Sequence, residues 1–475
     1  MIWTDGRYNE DLPGDFFNTD ITKDIDKSAT KPVIQHEFRW WSSFPDVRIA
    51  PKYSGAIRPY AAEMAQDAAR RQGIDHILAQ AAANSQRLQL IEAKGKMEAC
   101  RRDWPALAGI SHFNAMDANP SPQGIIDEFY ERKCTDADTW IQTNGDTVVL
   151  CSLGFDNRVL AAGDTFRCAL YVSDYAHPPF ENPILKWSLA TENGGVASGR
   201  IVYRHEPFKT CSAGEIECDI PEVTRPTTAR LSVRLHDRRQ ALTNMWDLWL
   251  FPRIPGNVPG VTLHGPAQYT WLKTVEGIAA TCEGTLPAPQ EAMVLTERID
   301  PTITAFMQDG GRVLLAASEG LVRPFSGKLG LNTGRYFFTP PANYPPYESG
   351  HDGTIVKEHP MFGEFPHEGF ADLQFYRMLA ESPPLDLAPL GLTEGDPVIR
   401  AIHSYPVCRP LGYLVEGMVG EGRLILCALD LDQSWPEARY LLRQLCRYLA
   451  NGPHQKVPAI SQVCLEQVVA ATAIP

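Results

Sequence analysis

The apolar pattern of this chain changes character along its length. Near the start, the apolar pair Val33-Ile34 lies between Lys31-Pro32 and the polar run Gln35-His36-Glu37, and Phe38, Trp40 and Trp41 follow. The run is too short for a helix and Pro32 can open a strand, so the pattern predicts a short buried strand ending at Glu37. The residues before it, Met1 to about Thr30, show no period and are punctuated by Gly6, Pro13 and Gly14, which predicts a long loop. After it, helical spacing predicts helices over about 59–72, 74–83 and 85–102, with Gly95 a weak point in the third. A second strand is expected within Ala108–Asp117, then a Pro/Gly loop and a helical turn over Ile125–Tyr130.

From about Asp138 to Pro252 the period shortens to two. Runs at 147–151, 166–172, 185–189, 229–235 and 246–250 alternate between turn residues, with Leu231, Val233 and Leu235 supplying an inward face. This is the pattern of an immunoglobulin-like β-sandwich, with Trp187 and Trp249 in its core. The Pro- and Gly-rich stretch 253–266 reads as a linker. From 267 to 452 strands and helices alternate: strands at 292–295, 312–317 and 422–429, helices at 303–309 and 436–449. The strands are almost wholly apolar, which predicts a flavodoxin-like, doubly wound α/β domain. A tail follows, with a short element near Val463–Val469. The fold class is therefore multidomain, α/β plus all-β.

Charge and cysteine usage narrow the partners. The net charge is −13 with no basic block, which argues against nucleic acid and anionic membranes and fits a neutral substrate. No apolar run approaches a membrane span. The 11 cysteines lack metal-ligand spacing, so no metal is expected; Cys211 and Cys218 could bridge a hairpin, though free thiols are the plainer reading. No leader segment opens the chain, which favours the cytoplasm for the sequence as written, and secretion remains open if a longer chain precedes Met1.

Glu37 carries the candidate chemistry. A carboxylate at the carboxyl end of a strand, among aromatics, suits sugar chemistry: Trp faces stack on pyranose rings and a held Glu can attack an anomeric carbon. The same residues also fit a solvated loop Glu beside core tryptophans. Lys31-Pro32, His36-Glu37, Phe44-Pro45 and Lys52-Tyr53-Ser54-Gly55 together resemble the seventh barrel strand of family 2 glycoside hydrolases, the β-galactosidase and β-glucuronidase relatives. Gln123-Gly124 and Ile126-Asp127 resemble the tail of that family's eighth strand.

The resemblance implies that residues 1–137 are the last part of a (β/α)8 barrel, since a complete one takes about 250 residues. It implies Glu37 as nucleophile and a carbohydrate substrate with no cofactor. His36, Trp40, Trp41 and Asp117 would shape the sugar subsite, although Asp117 fits a loop cap equally well. Arg39 would pair with Glu37 or face solvent. The family's acid/base Glu follows an Asn near the fourth strand, and no position takes that role by motif; Asn9-Glu10 lies in the loop. A non-catalytic carbohydrate-binding or assembly protein is the rival reading.

Residues 267–452, with His359-Pro360-Met361-Phe362 and Gly422-Arg423-Leu424, resemble the glutamine-amidotransferase-like domain of such hydrolases, which includes the β-galactosidase trimerisation domain. No Cys stands at a strand-to-helix elbow: Ser318-Glu319-Gly320 follows one strand, and Cys427 lies within another. The resemblance implies an assembly role and a homo-oligomer formed through this domain.

Overall fold

The computed structural model describes residues 2–5, 31–38, 43–103, 107–112, 115–118, 122–134, 137–253, 261–264, 279–282, 286, 288–289, 291, 293–316, 354–380, 382, 384–388, 392, 397–401, 403, 405–451, 457–461 and 463–466. It divides into two compact units, Met1–Ser42 with Gln86–Arg253, and Ser43–Ser85 with Ile254–Pro475.

The first unit opens with a three-stranded parallel sheet in the order β1 (Ile2–Asp5), β2 (Val33–Phe38), β3 (Leu107–His112). The adjacency and parallel sense of β2 and β3 follow the sequence expectation. β1 corrects it: Ile2–Asp5 is not loop but a strand paired with Val33–His36.

Helix α1 spans Tyr60–Gln72, and Gly73 at φ 69° ends it in the left-handed conformation that glycine adopts cheaply. The next two expected helices are one, α2 (Leu78–Asp103). Asn84-Ser85 does not break it because both side chains are used elsewhere. The Ser85 hydroxyl donates to Ala82 O at 2.9 Å and accepts from Phe44 N at 2.7 Å, and Asn84 Nδ2 donates to Gly369 O at 3.0 Å. The expected helical turn at 125–130 is instead a tight turn, and Ala137–Asn144, unforeseen, is helix α3.

Eight strands follow: β4 (Thr147–Cys151), β5 (Val159–Ala161), β6 (Thr165–Asp174), β7 (Ile184–Thr191), β8 (Gly194–Val202), β9 (Lys209–Asp219), β10 (Thr227–His236) and β11 (Ala241–Phe251). They form sheets β4-β6-β9 and β5-β11-β10-β7-β8, antiparallel except for β5 on β11. Both sheets supply one core, from Val149 and Leu170 to Leu231, Val233 and Trp246. Trp249 is buried as expected, and Trp187 packs half-buried against the core. Gly199 lies across from Trp187, and a Cβ there would sit 2.7 Å from its indole nitrogen, so the glycine makes room for the ring. Cys211 and Cys218 share strand β9, so they cannot bridge a hairpin, and both are free thiols.

Helix α2 is tied to the sandwich by a buried polar cluster. Glu98 accepts from Asn244 Nδ2 at 2.8 Å and from Trp246 Nε1 at 3.0 Å, and it pairs with Lys94, which also donates to Asn244 Oδ1 at 2.6 Å.

The second unit is built on a nine-stranded mixed sheet. Its strands are β12 (Val261–His264), β13 (Ala279–Cys282), β14 (Met293–Thr296), β15 (Arg312–Ala316), β16 (Ile355–Val356), β17 (Leu385–Asp386), β18 (Ile399–Ala401), β19 (Leu411–Val419) and β20 (Gly422–Cys427). The order is β13-β12-β14-β15-β20-β19-β18-β16, with β17 on β19; the first five strands run parallel and the rest antiparallel. β12 falls inside the expected linker. With α1 and the first turns of α2, helices α4 (Pro301–Gln308), α5 (Tyr376–Ala380) and α6 (Pro436–Asn451) complete the unit. Asp300 caps α4 by accepting from Ile303 N at 2.9 Å, and Arg312 Nη1 donates to Ala450 O at 2.6 Å, near the end of α6.

Among the described residues no helix is long and apolar enough to cross a membrane.

Candidate active site

Val33, fully buried, seats β2 against Ala93, Met97 and Cys100 of α2, with Leu107, Ile110 and Trp140 packed around them. From there β2 runs to its carboxyl end. Gln35 pairs with Ile110 and Phe38 with His112, so three steps on β2 meet two on β3. The extra residue falls at His36-Glu37. This register irregularity coincides with the predicted catalytic position, and one of the opposite sense lies between Val33 and Ile34. His36 also pairs with Asp5 of β1. The structure therefore places Glu37 in the penultimate position of the central strand. Trp40, Trp41, Arg39, Asn9-Glu10 and Ser318-Glu319-Gly320 lie outside the described residues.

Asp117 follows β3 and organises its loop. The Asp117 N–H donates to Ile126 O at 2.9 Å. Oδ1 of its buried carboxylate accepts from Gly124 N at 2.6 Å and from Lys133 Nζ at 3.0 Å. Lys133, also buried, spends its other protons on Pro122 O (3.2 Å) and Gly124 O (3.0 Å). Burial pushes the Asp117 carboxyl up to about 6, against the restraining charge and hydrogen bond of Lys133. Burial likewise lowers the Lys133 ammonium, with Asp117 holding it up. Each group's charge thus opposes the effect of burial on the other.

Gly124 is dictated by space: a Cβ would lie 2.1 Å from Asp117 N and 2.5 Å from Ile126 O. Asp127 Oδ1 accepts from Phe129 N and Glu131 N, both at 2.8 Å, and shapes the turn between them. The Gln123-Gly124 and Ile126-Asp127 steps thus belong to one folded loop. Sequence reasoning missed Lys133. Within Glu131-Arg132-Lys133 it reads as one more solvated charge.

In the second unit, the motif residues around His359 and Arg423 meet in a buried cluster. Glu416 accepts from Arg423 Nη1 at 3.0 Å and Tyr448 OH at 2.9 Å, and His359 Nε2 lies 3.8 Å from its Oε2, beyond hydrogen-bond reach. His359 Nδ1 accepts from Met361 N at 3.3 Å and caps the short helix Pro360–Phe362. Burial, with the charges of Lys357 and Arg423, lowers the His359 imidazole to about 4. Cys427 lies within β20, and burial pushes its thiol up to about 12, which makes it inert as a nucleophile.

Two family models, each described as a domain of unknown function, match the chain: DUF8487 over residues 294–469 and DUF8488 over residues 164–252. No curated protein matches. Among solved structures, the sporulation control protein Spo0M of Bacillus subtilis is similar over 22% of this chain and 50% of its own, at 10% identity and a TM-score of 0.19. A β-glucuronidase of Parabacteroides merdae is similar over 36% of this chain and 24% of its own, at 12% identity and a TM-score of 0.16. A family 123 glycoside hydrolase from Clostridium perfringens is similar over 25% and 30%, at 11% identity and a TM-score of 0.15. The chain spans half or less of the length of each.

Proposed function

We propose that the chain is the C-terminal part of a retaining β-glycoside hydrolase resembling family 2, with Glu37 as its nucleophile. The observation that carries this reading is the position of Glu37, at a break in register, near the carboxyl end of the central strand of a parallel sheet, the end where catalytic groups project in barrel folds. In the reaction, a Glu37 carboxylate oxygen bonds to the anomeric carbon as the glycosidic C–O bond breaks. The leaving oxygen takes a proton from a second carboxylic acid, and water then releases the sugar from the covalent intermediate. That acid stands about 5–5.5 Å from the nucleophile in retaining enzymes. In this reading it comes from barrel strands that no motif of this chain matches.

His36, Trp40 and Trp41 line the sugar subsite, and Asp117 holds the loop beside it while lending a carboxylate oxygen to a sugar hydroxyl. Residues 138–252 serve as an immunoglobulin-like sandwich. Residues 267–452 serve as a flavodoxin-like, amidotransferase-like assembly domain that brings copies of the chain together.

The burial of Asp117 against Lys133 and Gly124 favours a second reading, a carbohydrate-binding or assembly protein without turnover. An assay on aryl β-glycosides separates the two. The chain alone is expected to show little turnover, since general acid assistance is worth roughly 10²–10⁴-fold. A protein that adds the missing barrel strands is expected to hydrolyse the substrate with retention. No hydrolysis by the completed barrel leaves the binding reading standing.

A further inference from the structure

A small cavity lies within the first unit, between α2, β3 and α3, lined by Gln89, Ala93, His112, Gln123 and Trp140. Gln123 is 0% exposed, and among the described residues neither Nε2 nor Oε1 of its amide has a hydrogen-bond partner. Leaving a buried donor and acceptor unmade costs far more than a typical hydrogen bond returns, so buried amides are satisfied by protein or by water. The cavity has about 10 Å³ of room, at the lower limit for one water molecule.

We propose that this cavity is a binding site for a single structural water held by the Gln123 amide. A sugar or any organic ligand is too large for it, so water is the ligand class that fits. Gln89 and His112 line the facing walls. The site explains the Gln-Gly step of the loop. Gly124 is required by the close approach to Asp117, and Gln123 anchors the same loop to α2 and α3 through the bound water. It rests on no reading of the chain's activity.

The test is a high-resolution crystal structure of the chain, with thermal melts of wild type and Gln123→Met. One ordered water within hydrogen-bond distance of the Gln123 amide is expected, together with a melting temperature several degrees lower in Gln123→Met. A wild-type cavity without ordered water, or an amide bonded directly to another protein group, overturns the proposal. So does a Gln123→Met variant that melts at or above the wild-type temperature, since an apolar group in a dry site removes a penalty rather than a partner. Water–protein cross-relaxation in solution gives the same answer without the variant.

Discussion

Lys133 Nζ donates to Asp117 Oδ1 at 3.0 Å with both side chains almost wholly out of solvent. A buried pair of this kind is costly to break from one side, because the remaining charge has no water to turn to. Lys133→Met is expected to destabilise the first unit by about 3–5 kcal/mol in denaturant titrations. Adding Asp117→Asn, which removes the stranded charge but can still accept from Gly124 N, is expected to restore much of the loss. A double variant as unstable as the sum of the two single variants would show that the pair is not coupled.

Gly124→Ala attacks the same loop sterically. Its Cβ cannot coexist with the backbone of Asp117 and Ile126. Proteolysis within residues 115–134 is expected to accelerate in this variant while the sandwich core stays protected in hydrogen exchange. Unchanged cleavage would mean that the loop accommodates the methyl.

The Glu98 cluster predicts a different failure. Glu98→Ala leaves Trp246 Nε1 without its acceptor and Lys94 without its carboxylate, while Asn244 Nδ2 keeps only Val149 O at 2.8 Å. A loss of about 2–4 kcal/mol is expected on denaturation, whereas breaking the exposed, solvent-screened pair Arg167–Glu217 is expected to change stability little.

How much of this was legible in the sequence depends on where each element's stabilisation comes from. β2 and β3 were readable because Val33-Ile34 and Ala108–Ile110 are apolar runs set between polar and turn residues. β1 was not, because Trp3-Thr4-Asp5 has no period of its own and is a strand only through its pairing with β2. α2 is one helix where the sequence predicts two; the Ser85 hydroxyl and the Asn84 amide are taken up by Phe44 and Gly369, far away in sequence. β8 and β9 escaped because glycines and exposed charged residues dilute their alternation. In the candidate site, the location of Glu37 could be read. The Asp117–Lys133 pair could not, since nothing local distinguishes a lysine that will be buried.

His359 predicts a pH dependence. Its imidazole titrates at about 6.5 when unfolded and about 4 when folded, so folding favours the neutral form. The stability it supports is present above about 6.5 and is lost as the pH falls through 4. Melts of wild type and His359→Gln between pH 7 and 4 are expected to show the steeper acid loss in wild type. Parallel curves would mean that His359 is not held neutral.

The central claim is that Glu37 forms a covalent bond to sugar. The most direct measurement treats a protein that joins this chain to the further barrel strands the proposal invokes with a 2-fluoro β-glycoside, then maps the adduct by peptide mass spectrometry. A single glycosyl adduct on Glu37 is predicted, with adduct and turnover both lost in Glu37→Gln. An adduct on another carboxylate, or turnover that survives Glu37→Gln, would contradict it.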